Sequence, residues 1–188
     1  LVVLNVASTN QPVSFDPADA NLVVNEYTEY DCYDTLLDFN QDGTDVVPAL
    51  AESWEQVDDL TYTYKIREGV KFSDGSDLTM DDVLYSLNRV REDAYGMSYL
   101  FEHVDSFEVD EKTRTLTVHL TQPDSTWKYV PATTPCQILK KSVVEAEGDA
   151  YGTNEGSVVG TGPYKFVSWA ADSQIVLEKN EYWWGGCR

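Results

Sequence analysis

Two stretches of the chain alternate apolar and polar residues, a pattern typical of β-hairpins with one face packed in a core. In the first stretch Tyr62, Tyr64 and Ile66 alternate with polar residues, and in the second Leu116 and Val118 share a face. The predicted strand pairs are residues 53–57 with 60–67, and residues 104–109 with 115–120. The same reasoning predicts a strand at 1–7 and a last pair at 164–169 and 174–178.

Apolar residues spaced three and four apart predict helices elsewhere in the chain. Thr79, followed three residues later by Asp82, resembles a capping box whose acid is one methylene shorter than the usual Glu. The helix that it begins carries an apolar stripe formed by Val83, Leu84, Leu87 and Val90. Further helices are predicted at 22–37 and 142–147. No internal repeat is visible, which excludes a repeat array. The predicted elements together indicate a mixed α and β domain with mostly hairpin-linked strands.

The charge balance of the chain narrows the classes of partner. Of 188 residues 33 are acidic and 13 are basic, which gives a formal net charge of −20. This excess repels phosphate backbones and anionic lipid, so nucleic acid is excluded as a partner. Apolar residues make up 42% of the chain, enough for a packed core. No apolar run approaches the roughly 18 residues of a membrane span.

Two short motifs suggest ion binding and are better explained as turns. Residues 38–43 place oxygen side chains at alternate positions before Gly43, as a calcium loop does, but Ala49 stands where the bidentate carboxylate belongs. The Gly160-Thr161-Gly162 motif lacks the Lys-Ser/Thr pair of a phosphate cradle, and Pro163 removes a backbone donor. We therefore expect no metal and no cofactor.

Cysteine, histidine and acidic residues leave several possibilities open. Cys32, Cys136 and Cys187 show no zinc-binding spacing, and either one disulfide with one thiol or three small buried side chains fits them. His103 and His119 accompany no recognisable nucleophile motif. A pair of carboxylates for glycoside hydrolysis remains possible, because 33 acids offer many pairs.

A series of motifs in a fixed order is more specific than any of these features. They are Phe15-Asp16-Pro17, Ala51-Glu52-Ser53-Trp54, residues 61–64, 67–75, 78–83 and 86–89, residues 160–164 with Trp169, and residues 175–178 with Asn180 and Tyr182-Trp183. This series resembles the family 5 extracellular solute-binding proteins, the receptors of ABC importers for peptides, nickel and oligopeptides. The resemblance spans nearly the whole chain.

The resemblance implies a mixed α/β (α+β) chain with the periplasmic binding protein-like II fold. Because members of the family are much longer, we expect an N-terminal fragment with a partial first lobe and an inserted subdomain. The ligand lobe then comprises residues 1–38 and 160–188, and the subdomain comprises 39–159. Such a lobe closes with a second lobe over the ligand, so that binding shifts the open-to-closed equilibrium.

The same resemblance implies a function. We expect a monomeric, non-enzymatic protein that binds a peptide or similar small solute and delivers it to an ABC permease in the membrane. It would act outside the cytoplasm, in the periplasm or at the cell surface, after removal of a signal peptide, as a lipoprotein if a lipid anchor is attached. The rival functions are binding of an oligosaccharide, with aromatic rings stacked on sugars, and a carboxylate-based hydrolase.

Four residues are carried over from the resemblance as ligand contacts. Asn21, Leu22 and Val23 correspond to the loop that meets the ligand in peptide-binding members, and Tyr95 to a tyrosine that faces the cleft there. Backbone groups in such a loop can pair with an extended peptide like an added strand. Asn21 stands where an acidic residue can occur. Because it directly precedes the helix predicted at 22–37, it would equally serve as the N-cap of that helix. One residue is inserted after Tyr95 relative to the oligopeptide-binding pattern.

Overall fold

The structure is a computed structural model that describes residue 12 and residues 14–19, 31–92, 97–171 and 173–185. The strand predicted at 1–7 lies outside these residues, as does most of the helix predicted at 22–37. The strands are β1 Leu37–Phe39, β2 Val46–Pro48, β3 Ala51–Asp58, β4 Thr61–Ile66, β5 Val104–Asp110, β6 Thr115–Leu120, β7 Tyr164–Ala170 and β8 Gln174–Lys179. The two α-helices with described bounds are α1 Met80–Glu92 and α2 Lys141–Glu147.

A four-stranded antiparallel sheet with the order β3-β4-β6-β5 forms the centre of residues 37–138. Both predicted hairpins are confirmed, and β4 joins them by pairing with β6, where Tyr64 lies opposite Leu116. Apolar residues of β4 and β6 point to one buried face, whereas their threonines lie on the other face. The alternation in the sequence therefore reports which face of the sheet is buried.

Helix α1 packs against the buried side of this sheet. Its residues Val83, Leu87 and Val90 belong to the same apolar core as the inward side chains of β4 and β6. The predicted capping box is also confirmed, because the backbone N–H of Thr79 donates to Asp82 Oδ2 at 3.0 Å and that of Asp82 donates to Thr79 Oγ1 at 3.1 Å. Local sequence thus defines where this helix begins.

The helix predicted at 22–37 extends too far. Asp31 and Cys32 are helical, Tyr33 is not, and Leu37 begins β1, where it lies opposite Pro48 of β2. Leu37 fits the helical spacing, but pairing with β2 decides its conformation. The turn predicted at 38–43 is likewise shorter, because Asp38 and Phe39 are in β1.

The turn between β1 and β2 is closed by a side chain rather than by an ion. Asn40 Oδ1 accepts hydrogen bonds from the backbone N–H groups of Thr44, at 2.9 Å, and Asp45, at 3.2 Å. An amide oxygen that caps its own turn explains the Asx-rich sequence without calcium.

A second, smaller core joins distant parts of the chain. The β7–β8 hairpin, whose prediction is confirmed, lays Phe166 and Trp169 edge-on against the buried ring of Phe15, at centroid distances of 5.2 and 5.8 Å. The buried members of this core are Phe15, Cys32, Tyr33, Leu139, Val144, Tyr151 and Val158. Cys32 is not joined to Cys136, whose buried thiol has a pKa raised by burial to about 12. In the described part of the chain, no helix is both long and apolar enough to cross a membrane.

Candidate functional site

Helix α1 carries a second face that connects the two cores. Asp82, Ser86 and Arg89 recur at intervals of four and three residues and so lie on one side of the helix. Asp82 and Ser86 are buried, and each of the three contacts residues outside the sheet core. We call the contacts of this face, together with those of residues 160–184 described below, the junction.

The N-terminal part of this face, formed by Asp82 and Ser86, holds the start of α2. Asp82 Oδ1 accepts a hydrogen bond at 3.0 Å from the backbone N–H of Lys141, while Oδ2 caps α1 itself. Ser86 Oγ accepts from the backbone N–H of Leu139 at 2.9 Å and donates to the carbonyl of Asp82 at 2.7 Å. One carboxylate therefore serves the first turns of two helices, whose first N–H groups have no partner within their own helix.

The C-terminal part of this face, formed by Arg89, binds the N-terminal part of the chain through an ion pair. Arg89 Nη1 donates to Asp16 Oδ1 at 2.7 Å and Nη2 donates to Oδ2 at 2.6 Å. Asp16 Oδ1 also accepts from the backbone N–H of Ala18 at 3.0 Å. The guanidinium thus fixes the turn at Pro17–Asp19 through the carboxylate that caps this turn.

Two tyrosines and a glycine support the same turn. The hydroxyl groups of Tyr33 and Tyr151 are 2.8 Å apart in the core, and burial raises the pKa of both, so both stay neutral at physiological pH. The backbone N–H of Phe15 donates to the carbonyl of Gly152 at 2.7 Å. Gly152 has a φ of +74°, and a Cβ there would lie 2.5 Å from the backbone nitrogen of Asp16. This approach requires glycine.

The Gly160-Thr161-Gly162 motif serves close backbone packing. The N–H of Gly162 donates to the carbonyl of Cys32 at 3.0 Å, and a Cβ on Gly160 would lie 2.1 Å from that carbonyl oxygen. The carbonyl of Gly160 in turn accepts from the N–H of Ser73 at 2.8 Å. The motif is therefore occupied in joining the two parts of the chain, which agrees with its interpretation as a turn into a strand.

The segment after β8 completes the junction. Asn180 Nδ2 donates to the carbonyl of Gly162 at 2.8 Å, and the ring of Tyr182 covers Gly75. Trp184 Nε1 donates to Asp34 Oδ2 at 2.9 Å, and the guanidinium of Arg67 lies 4.7 Å from the centre of the Trp184 ring. Motifs that are far apart in the sequence thus meet here.

The predicted ligand contacts Asn21, Leu22, Val23 and Tyr95 lie outside the described residues. Along the sequence, Asn21 follows Asp16 by five residues and Tyr95 follows Arg89 by six. The described structure therefore brings together the residues that precede both predicted contact segments. The sequence predicts only the capping box for Asp82 and places Ser86 and Arg89 in the motif at 86–89 without a contact, although the helical spacing of the three beside the apolar stripe was the available signal.

Other candidate sites lie apart from the junction. Asp58, Asp59, Asp105 and His119 line an open hollow of about 510 Å³ at one end of the four-stranded sheet. His119 Nε2 lies 3.8 Å from Glu108, and His103 Nε2 lies 3.1 Å from Gln122 Nε2. Within the described ranges no group of three or more His, Cys, Asp or Glu side chains is arranged to hold a metal ion.

Comparison with known proteins identifies similar sequences. Residues 45–188 match the family described as "Bacterial extracellular solute-binding proteins, family 5 Middle". The chain is 28% identical to the "Probable D,D-dipeptide-binding periplasmic protein DdpA" of Escherichia coli, with 97% of this chain and 37% of that protein aligned. It is 29% identical to "Heme-binding protein A" of Haemophilus influenzae, over 93% of this chain and 36% of that protein.

Solved structures show the same fold. The periplasmic binding protein DppA from Helicobacter pylori, in complex with peptide STSA, superposes with a TM-score of 0.78 at 28% identity. The alignment covers 93% of this chain and 38% of that one. The chain thus spans little more than a third of the length of the relatives that it matches, and its mixed helix and sheet is part of a periplasmic binding protein fold.

Proposed function

The chain belongs to the bacterial extracellular solute-binding proteins of family 5, and we propose on that basis that it forms part of a receptor that binds a small solute outside the cytoplasm. In this proposal the receptor closes two lobes over a peptide or similar solute, delivers it to an ABC permease and leaves it chemically unchanged. Two of the similar proteins are named as binding a dipeptide and heme, and a similar solved structure is in complex with a peptide; these support a solute of this size range.

The observation that carries the proposal is the Asp16–Arg89 pair at the junction. It joins the turn that precedes Asn21, Leu22 and Val23 in the sequence to the helix that precedes Tyr95. Two segments that contact one ligand must keep a constant relative position, because binding energy is lost when the contacting groups have to be ordered first. A buried bidentate pair between their flanking residues meets that need.

We also propose the division of the chain into a ligand lobe, residues 1–38 and 160–188, and an inserted subdomain, residues 39–159. The core of the four-stranded sheet supports this division, because its buried members run from Leu36 to Ile138. Leu139, Val144, Tyr151 and Val158 pack with Phe15 rather than with the sheet, so the last part of the subdomain is built onto the lobe. Three exposed apolar side chains, Tyr164 at 42%, Val167 at 46% and Tyr182 at 43%, favour further packing of a longer receptor beside β7–β8.

Calorimetry on the whole receptor tests the proposal. We expect alanine peptides of two to five residues to bind and maltooligosaccharides to give no heat. Substitutions Asn21→Ala and Tyr95→Ala should weaken peptide binding about tenfold, a typical loss for one good contact. Tyr99→Ala is the matched control, because Tyr99 lies four residues after Tyr95 and its side chain is largely exposed.

The alternative functions predict other results. Heat with the sugars and none with peptides would instead favour an oligosaccharide receptor. Release of cleaved products during incubation with either ligand, measured by mass spectrometry, would show a hydrolase and contradict a receptor that leaves its solute unchanged.

A further inference from the structure

Among the ion pairs of the described residues, Arg89–Asp16 is the one in which both side chains are largely buried, with 11% and 7% of their surface exposed. The other pairs, such as Lys128–Asp45, have at least one partner more exposed to solvent. The pair is also formed by one of only 13 basic residues in a chain with 33 acidic ones. Its burial therefore needs a specific explanation.

Net stability is a poor explanation for this pair. Removing two charges from water costs about as much as their attraction returns, so buried ion pairs are often replaceable by apolar residues at little loss. Their geometry, in contrast, is strongly defined. A guanidinium that donates two parallel hydrogen bonds to a carboxylate fixes both distance and orientation, which a lysine ammonium does not.

Further contacts show that Asp16 is the centre of a turn held from several sides. The backbone N–H of Asp16 donates to Ser14 Oγ at 2.9 Å, and Asp16 Oδ1 accepts from the N–H of Ala18. The adjacent N–H of Phe15 donates to the carbonyl of Gly152. The turn is therefore held by α1 on one side and by Gly152 on the other. Arg89 is the contact through which α1 holds this turn.

The surroundings make this connection stiff. The hydroxyl pair of Tyr33 and Tyr151 lies in the same buried region, and the charge of Asp16 contributes, after burial, to the raised pKa of both tyrosines. Hydrogen bonds in such a weakly polar environment are stronger than in water.

We propose that Arg89 is a positioning residue for ligand binding: from helix α1 it holds Asp16 and thereby sets the position of the Pro17–Asp19 turn, from which the predicted ligand loop continues. It acts through Asp16 and makes no contact with the ligand. This inference rests on the proposed function, and it goes beyond it by assigning part of the affinity to a residue outside the contact segments.

The first test measures affinity and stability in the whole receptor, with trialanine as the probe. Arg89→Met and Arg89→Lys should both weaken trialanine binding about tenfold, because lysine keeps the charge but not the two parallel hydrogen bonds. Val118→Ala is the matched control, since it removes buried methyl groups from the four-stranded sheet. It should lower the melting temperature and leave trialanine affinity unchanged.

Either of two results overturns the proposal. One is wild-type affinity in both Arg89 variants. The other is an equal loss of affinity in Val118→Ala at the same drop in melting temperature, which would reduce the role of Arg89 to stability alone.

The second test needs no ligand and separates this proposal from the proposed function. Hydrogen exchange of the backbone amides of Phe15 and Ala18 should become about tenfold faster in Arg89→Lys, with the amides of β4 and β6 unchanged. Unchanged protection of these two amides would overturn the positioning role. Absence of binding of every peptide by the wild-type receptor would instead overturn the proposed function.

Discussion

Asn180 and Thr161 are both buried polar residues of the junction, with 1% and 0% of their surface exposed, yet their side chains differ in partners. The side chain of Asn180 donates to the carbonyl of Gly162 and accepts from the N–H of Tyr182. The hydroxyl of Thr161 has no hydrogen-bond partner in the described structure. A buried polar group without a partner loses its water and gains nothing, so it destabilises the fold.

This difference predicts that Thr161→Val stabilises the protein. Valine has nearly the shape of threonine and removes the unpartnered hydroxyl, so the free energy of unfolding should rise by about 1 kcal/mol. Urea denaturation monitored by tryptophan fluorescence measures the change. Thr117→Val, on the solvent side of β6, is the control and should change stability by less than about 0.5 kcal/mol. A loss of stability in Thr161→Val would mean that the hydroxyl has a partner.

Helix α1 shows how one element can serve two cores. Its apolar stripe packs against the sheet, whereas its polar stripe binds α2 and the Asp16 turn. The apolar stripe and the capping box depend on residues at most a few turns apart, so the sequence predicts them. The partners of the polar stripe are Asp16, Leu139 and Lys141, which lie 53 to 73 residues away along the chain. Helical spacing alone does not identify them.

The shared cap at Asp82 leads to a prediction at this scale. Asp82→Ala removes the cap of α1 and leaves the N–H of Lys141 without its acceptor, so we expect a loss of about 3 kcal/mol in the free energy of unfolding. Asp81→Ala is the control, because Asp81 is exposed and forms only a surface ion pair with Lys141.

Hydrogen exchange adds a local readout to this experiment. The amide of Lys141 should lose protection in Asp82→Ala and keep it in Asp81→Ala. Equal losses of stability in the two variants would contradict a shared cap.

Over the whole molecule, the net charge of −20 opposes folding through repulsion among surface carboxylates. The ion pairs described on the surface, such as Lys71–Asp77, involve exposed side chains and so contribute little. Added salt shortens the range of charge interactions from about 10 Å at 0.1 M to about 3 Å at 1 M. Repulsion, which is summed over many distances, is weakened more than a few close pairs.

We therefore expect the melting temperature to rise by about 5 °C between 0.05 and 1 M sodium chloride, measured by differential scanning calorimetry. The variant Glu52→Gln/Glu55→Gln/Asp59→Asn removes three exposed charges of the β3–β4 hairpin and should show a smaller rise. A melting temperature that falls with salt would show that the ion pairs outweigh the repulsion.

The length of the chain relative to its relatives leads to the last prediction. If the ligand is held between two lobes, residues 1–188 alone form only part of the contacts and should bind trialanine far more weakly than the whole receptor does. Calorimetry on both proteins makes the comparison. Micromolar affinity of residues 1–188 would contradict the two-lobed proposal.

The sequence by itself determined the hairpins, the start of α1, the family and the mixed α and β class, because alternation, capping and ordered motifs are properties of neighbouring residues. Only the tertiary structure decided that Leu37 belongs to a strand and that Arg89 meets Asp16, 73 residues away. Both outcomes depend on pairing between distant segments, where one helical or apolar pattern is compatible with several partners. The polar face of α1 was visible as spacing, but its connection to the turn before Asn21 exists only once the two cores are packed together.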